Sequence, residues 1–281
     1  MSPDQFLFLF GIALAAGALG SALGMAGGIF VVPVLTLFAG ASFPVAVAVS
    51  LISVIACSCA SASQFLTAGL TNLRLAVVLE VATTLGALAG VLMIGMVHDQ
   101  ILYGIFAAVL LVSAIQMMAG RRARAPLAED RVGKRLRLDS SYTERDGSTV
   151  TYAVSRLPMG LSFMFGAGLL SALLGIGSGV LKIPAMDAAM RLPIKVSSAT
   201  ANLTIGVTAC GTAAAYLIAG NVDLSLTIPI VLGSVAGSIL GARILVRIAG
   251  PGLRIVFTLV LLGLAVPMTM NALGAQLGGR S

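Results

Sequence analysis

Apolar runs of around 20 residues with hardly a charge recur along almost the whole chain, and each is long enough to cross a hydrocarbon core of about 30 Å. Composition agrees: 58% of the 281 residues are hydrophobic and 10% are charged, where a soluble domain carries about 25% charged residues. The chain therefore reads as an all-α, polytopic membrane protein. A transmembrane barrel would alternate polar and apolar residues, and these runs do not.

The stretch GMAGGIFVVP, Gly24 to Pro33, returns 151 positions later as GIGSGVLKIP, Gly175 to Pro184, with Lys182 where Val31 stands. The same offset, without gaps, aligns FLTAGLTNLRL (65–75) with YLIAGNVDLSL (216–226), Cys59 with Cys210, and Gly86 and Gly90 with Gly237 and Gly241. The expected organisation is two homologous transmembrane repeats, 1–120 and 152–281, joined by a polar linker at 121–151. Internal repeats of this kind belong to transporters, whose substrate site lies at the repeat interface near the bilayer midplane.

Each half reads as about five helical segments. They fall at 5–23, 27–39, 43–68, 72–97 and 101–119, then at 153–174, 177–190, 193–219, 223–248 and 251–272. The short second segment spans only about 20 Å at helical rise, less than a full crossing. Each half then makes five passes if that segment crosses, or three plus a re-entrant hairpin if it dips and returns. Either number is odd, so the halves are inverted.

Charge supports that topology. Nine Lys and Arg lie between Arg121 and Arg156, against five acids. With no nucleic-acid motif beside them, they read as a cytoplasmic loop under the positive-inside rule. Placing the linker inside also places Arg74, Arg191, Lys195, Arg247 and Arg254 inside, and both termini outside. The N-terminus has no basic region and does not read as a cleaved signal peptide.

Glycine-rich breaks at membrane depth are tolerated only where they are buried or line a wet cavity. Gly24, Gly27 and Gly28, with Gly175, Gly177, Ser178 and Gly179, let the backbone turn and approach a ligand closely. The short helix that follows each break offers free N–H groups and a positive dipole end to an anion. Small-residue helix packing is the alternative use of such glycines. Lys182 is costly in hydrocarbon unless it pairs or faces a cavity, and a bound anion would be such a partner. Its alternative is snorkelling to a headgroup.

Taken together, the paired G-x-G-G-G-x-x-x-x-P-like motifs, a later A-T-S/N-like stretch and the polar central loop resemble the TauE/SafE sulfite exporter family, also called the toluene sulfonate uptake permease family. The resemblance covers nearly everything except the linker, and Ala26 and Ser178 each replace a glycine of its pattern. It implies a carrier in the bacterial inner membrane for sulfite, sulfonates such as taurine or sulfoacetate, or related small anions, coupled to an ion gradient. The A-T-S/N-like stretch is Ala199-Thr200-Ala201-Asn202, opposite Ala48-Val49-Ser50 in the first half. Thr200, Asn202, Ser50 and Ser53 would supply hydrogen-bond donors to sulfonate oxygens, although intramembrane Ser and Thr also satisfy neighbouring helices.

Acids are scarce in the apolar segments. Glu80 and Asp187 are the candidates to carry a coupling proton, with sodium coupling as the other possibility, or to balance Lys182. Cys57, Cys59 and Cys210 read as free, buried thiols, Arg243 and Arg247 as snorkelling side chains, and His98 with Asp99 as an exposed turn. No cofactor, metal site or nucleic-acid partner is expected. The sequence thus points to a secondary transporter of small sulfur-containing anions. The competing class, an enzyme or scaffold of sulfur metabolism, would need a catalytic cluster that one histidine and a few acids do not form, or would leave the duplicated breaks without a purpose.

Overall fold

The computed structural model describes residues 3–94, 96–118, 133, 135–136, 138–143, 148–175, 177–247, 262–263 and 265–270. In the first half α1 (Pro3–Leu23) is followed by the short α2 (Gly28–Phe38), then α3 (Phe43–Thr67), α4 (Leu73–Leu92) and α5 (Asp99–Met118). In the second half α6 (Leu157–Leu174), the short α7 (Gly179–Pro184), α8 (Ile194–Ile218) and α9 (Leu224–Arg247) follow in the same order. The expected segment at 251–272 and Arg254 lie largely outside the described residues.

Six of these helices, α1, α3, α4, α6, α8 and α9, are long and apolar enough to cross a membrane. The protein is an all-α, multi-pass membrane protein. Their ends carry the usual local signals. Proline stands in the first turn of α3 and of α6, where its missing N–H would be unpaired in any case. Asn72 caps α4 by accepting the Leu75 N–H at 3.0 Å, satisfying one of the orphan donors of a helix start.

The two short helices differ. α2 is continuous over 11 residues despite Pro33 within it, about 16 Å at helical rise. Its counterpart does not run unbroken over 177–190. α7 has six residues and passes at Pro184 into a π-helical turn, Ala185–Ala189, in which the Met190 N–H reaches back to the Ala185 carbonyl. Proline brings no N–H to the ladder, and one wide turn is a common way for a helix to absorb such a fault.

Glycine contacts show how the halves interlock. A methyl added at Gly86 on α4 would strike the Phe165 backbone on α6, and one at Gly90 would strike Leu169. At the equivalent positions on α9, Gly237 meets Leu14 and Gly241 meets Ala18 of α1. Shifting by 151 converts one set of contacts into the other with the halves exchanged. These are G-x-x-x-G surfaces, whose use in membranes is to let backbones approach where no hydrophobic drive exists between helices.

One expectation needs correction. Cys57 is buried, but Cys59 and Cys210 are exposed on the outer surface. Apolar side chains cover both the lipid and the protein faces of a membrane helix, so an apolar neighbourhood in sequence does not imply burial. The linker has structure of its own. It holds an antiparallel hairpin, β1 (Ser140–Thr143) with β2 (Thr149–Tyr152), in which Tyr142 faces Val150. Tyr142 is buried in a cluster with Phe65, Leu70, Val196, Ala199 and Ala242, from α3, α8, α9 and the α3–α4 turn.

Candidate functional site

Glycine is required at both breaks by backbone conformation. Gly24, Gly27, Gly175 and Gly177 have φ of +81°, +75°, +65° and +59°, the left-handed region that costs other residues roughly 1–2 kcal/mol. Ala26 and Arg191 adopt it as well, at +52° and +58°. Packing adds a second requirement. A Cβ at Gly24 would press on Ser198, and one at Gly175 on Val47, positions again related by the 151 offset.

The two breaks meet. A Cβ at Gly179 would fall 2.9 Å from the Met25 Cα and 3.2 Å from the Gly24 carbonyl oxygen. Ser50, fully buried on α3, lies against both: its hydroxyl is 3.1 Å from the Gly28 carbonyl oxygen and 2.7 Å from that of Gly175. With one proton to donate, it ties one break at a time and holds the other within reach.

Lys182, on α7, is 1% exposed and is the only fully buried charged residue among the described residues. It does not snorkel. Its Nζ lies 2.9 Å from Glu80 Oε2, on α4, and 2.9 Å from Thr208 Oγ1, on α8. The Thr208 hydroxyl also bonds Glu80 Oε1 and lies 3.0 Å from the Thr204 carbonyl. A buried ion pair needs such extra partners, because attraction alone does not offset the desolvation of both groups.

The remaining sequence candidates divide. Asn202 is buried beside the first break: its Nδ2 is 3.5 Å from the Ser21 carbonyl, and its Oδ1 accepts from Ser61 at 3.5 Å. Its own carbonyl accepts from Ser58, which also takes the Gly206 N–H at 3.1 Å. Ser53 points elsewhere, to Ser234 on α9 at 2.7 Å. Thr200 sits under the linker hairpin, its hydroxyl oxygen accepting the Asn72 N–H at 3.2 Å. The side chain of Asp187, on the π turn, lies outside the described residues. His98 is exposed, as is Arg243.

Among the described residues, the buried hydroxyls of Ser21 and Ser178 have no hydrogen-bond partner. An unsatisfied buried hydroxyl costs free energy unless a ligand or water completes it. Both flank the breaks, and Ser178 opens α7, the helix that carries Lys182. The junction of the breaks thus combines close backbone approach with two hydroxyls of unused capacity, and Lys182 follows Ser178 by four residues on α7, its ammonium held by Glu80 and Thr208.

Sequence reasoning missed Thr208, Ser58 and Ser61. One signal for Thr208 was present: Thr200, Thr204, Thr208 and Thr212 recur every four residues, which places them on one side of a helix. All four are buried.

A family model described as sulfite exporter TauE/SafE matches residues 9–268. A probable membrane transporter protein of Bacillus subtilis (strain 168), YunE, is 26% identical over 250 residues, which are 85% of this chain and 88% of the relative. A probable membrane transporter protein of Xylella fastidiosa (strain 9a5c) is 29% identical over 259 residues, 90% of this chain and 91% of the relative. No solved structure is significantly similar.

Proposed function

The chain belongs to the sulfite exporter TauE/SafE family of membrane transporters, and from that premise we propose that it is a secondary carrier, not an enzyme, for small sulfur-containing anions. Sulfite, sulfonates such as taurine or sulfoacetate, and chemically similar organic anions form the substrate class. The site is the junction of the two glycine breaks, with Lys182 as the seat for the anionic group and Ser178, Ser50 and Asn202 around it. The observation that carries this reading is Lys182 itself, a cation buried at 1% exposure just after the second glycine break and paired with Glu80, since an ionisable residue at membrane depth marks a substrate or ion pathway by default.

The two halves are inverted repeats in a bacterial inner membrane, and the linker is cytoplasmic. Contacts support the inversion: Val54 and Ile205 flank Gly177 together, while Ser61 and Phe65, further along α3, meet Asn202 and the cluster of Val196 and Ala199, further back along α8. The two central helices thus run in opposite directions, as inverted equivalents must.

Uptake of labelled taurine or sulfite into sealed proteoliposomes tests the reading. The expected result is saturable flux in the wild type that Lys182→Ala abolishes. Equal flux in protein-free liposomes, or wild-type flux in Lys182→Ala, overturns it.

A further inference from the structure

Lys182 already holds an anion. Glu80 occupies it at 2.9 Å, with side-chain exposures of 1% for Lys182 and 12% for Glu80. A substrate anion arriving at the same ammonium would place two negative charges on one buried cation. One unit of negative charge would then lie uncompensated in low dielectric, a state proteins avoid by protonation. We propose that Glu80 is a tethered competitor for the substrate seat: the anion takes its place on Lys182 as Glu80 takes up one proton from solvent. The proton adds to a Glu80 carboxylate oxygen, and no other bond is made or broken. This rests on the assignment of Lys182 as the anion seat.

Two observations outside the ion pair support the exchange. The first is Thr208. Its single proton has two acceptors within reach, Glu80 Oε1 and the Thr204 carbonyl. While Glu80 is ionised the hydroxyl donates to it, since a carboxylate is the stronger acceptor. Once Glu80 is neutral, the hydroxyl turns to Thr204 and offers its lone pairs instead. Thr208 satisfies either protonation state.

The second is a groove of about 550 Å³ between α4 and α8, lined by Glu80 and by apolar side chains that include Ala76, Val81, Leu85, Leu203 and Val207. Glu80 already forms part of its wall, so the groove leaves the carboxyl room to turn away from Lys182, a move that costs less once it is protonated.

No other described ionisable group stands close enough to replace it in this role. α6, packed on α4, contains no ionisable side chain. On α8, Lys195 is 13 residues before Thr208, about 20 Å along the axis; Cys210 is exposed; and the Tyr216 hydroxyl donates to the Ala172 carbonyl. On α4 itself Arg74 lies six residues before Glu80, about 9 Å along the axis. Asp187 has no described side chain.

The test is calorimetric titration of the full-length protein in detergent with methanesulfonate, which stays a monoanion throughout the working pH range, in buffers of different ionisation heat. The expected result is uptake of about one proton per anion bound, with affinity rising about tenfold per unit fall in pH while Glu80 is ionised, as linkage requires. Glu80→Gln should bind at least about tenfold more tightly than wild type at high pH, with no pH dependence and no proton uptake. The proton count in the wild type needs no variant, so a Glu80→Gln protein that fails to fold leaves the test intact. Anion binding without proton uptake overturns the inference, as does a Glu80→Gln variant with the wild-type pH profile. If Lys182→Ala loses binding while the wild type takes up no proton, the seat stands and the exchange falls. If Lys182→Ala binds like the wild type, or the wild type binds no anion at any pH, the seat itself falls and the exchange with it.

Discussion

Lys182 and Glu80 join the two halves of the chain through an ion pair of 2.9 Å, and the residues at their repeat-related positions, Val31 and Val231, are both apolar. The fold thus accepts a charged pair on one side of its internal symmetry and two valines on the other. That comparison separates what the pair does for stability from what it does for function.

Lys182→Val alone should destabilise the protein, by up to about 3–5 kcal/mol while Glu80 stays ionised without its partner and by less where the carboxyl is protonated. Glu80→Val alone should do the same to Lys182. The double variant, which copies the opposite half, should recover most of that loss, since an apolar pair of suitable volume often replaces a buried ion pair without cost. Thermal unfolding in detergent measures the stability, and methanesulfonate binding should be absent from the double variant. A double variant no more stable than either single one would show that the site cannot repack.

Substitution at the breaks should depend on conformation rather than on membership of a glycine-rich stretch. Gly175→Ala combines a left-handed φ of +65° with pressure on Val47, and the strain alone is worth roughly 1–2 kcal/mol. Gly166→Ala meets nothing within 4 Å and should leave the melting temperature near wild type. Fluorescence-detected thermal unfolding of the two variants side by side checks the contrast.

The interlocking helices give a symmetric prediction. Gly86→Leu and Gly237→Leu place a side chain where Phe165 and Leu14 backbone atoms lie, so both should disrupt folding, and to a similar degree. Overpacking of this kind costs about 1–3 kcal/mol or more. Monodispersity on size-exclusion chromatography after membrane extraction reports it. A well-folded protein from one substitution and not from the other would show that the equivalent contacts are unequal in weight.

The linker hairpin hangs on Asn72. Its Nδ2 donates to the Leu138 carbonyl at 2.8 Å and to the Tyr152 hydroxyl at 3.2 Å, while its Oδ1 caps α4. Burial pushes the Tyr152 phenol above its ordinary value, so the hydroxyl stays neutral and the contact should persist at neutral and mildly alkaline pH. Asn72→Ala should cost about 0.5–2 kcal/mol for the cap and release the hairpin, read as faster protease cleavage between 138 and 152. Cleavage at the wild-type rate would mean that the Tyr142 cluster holds the hairpin alone.

Topology is open to direct chemical labelling. In a cysteine-free background, Ser141→Cys should react with a membrane-impermeant maleimide only from the cytoplasmic side, and Gly220→Cys only from the opposite side. Both positions are exposed. Labelling of both from one side would sink the inverted arrangement.

Apolar run length, the 151-residue offset and the glycine breaks were all legible in the sequence, because each is a property of residues near one another along the chain or of its comparison with itself. The helices and the αL glycines at both breaks follow from them. What joined the breaks did not. Glu80 and Lys182 are 102 residues apart, Ser50 and Gly175 are 125 apart, and the sequence favoured Glu80 over Asp187 only by its place along a segment, not by any contact with Lys182. Only packing brought the Glu80 carboxylate to the ammonium, and only packing brought Thr208 between them. The same limit explains Cys59 and Cys210. In water, polar residues mark the outside of a helix, but a helix surrounded by lipid is apolar on both faces. Its sequence therefore determines that it crosses the membrane, and only the tertiary structure decides which way each side chain looks.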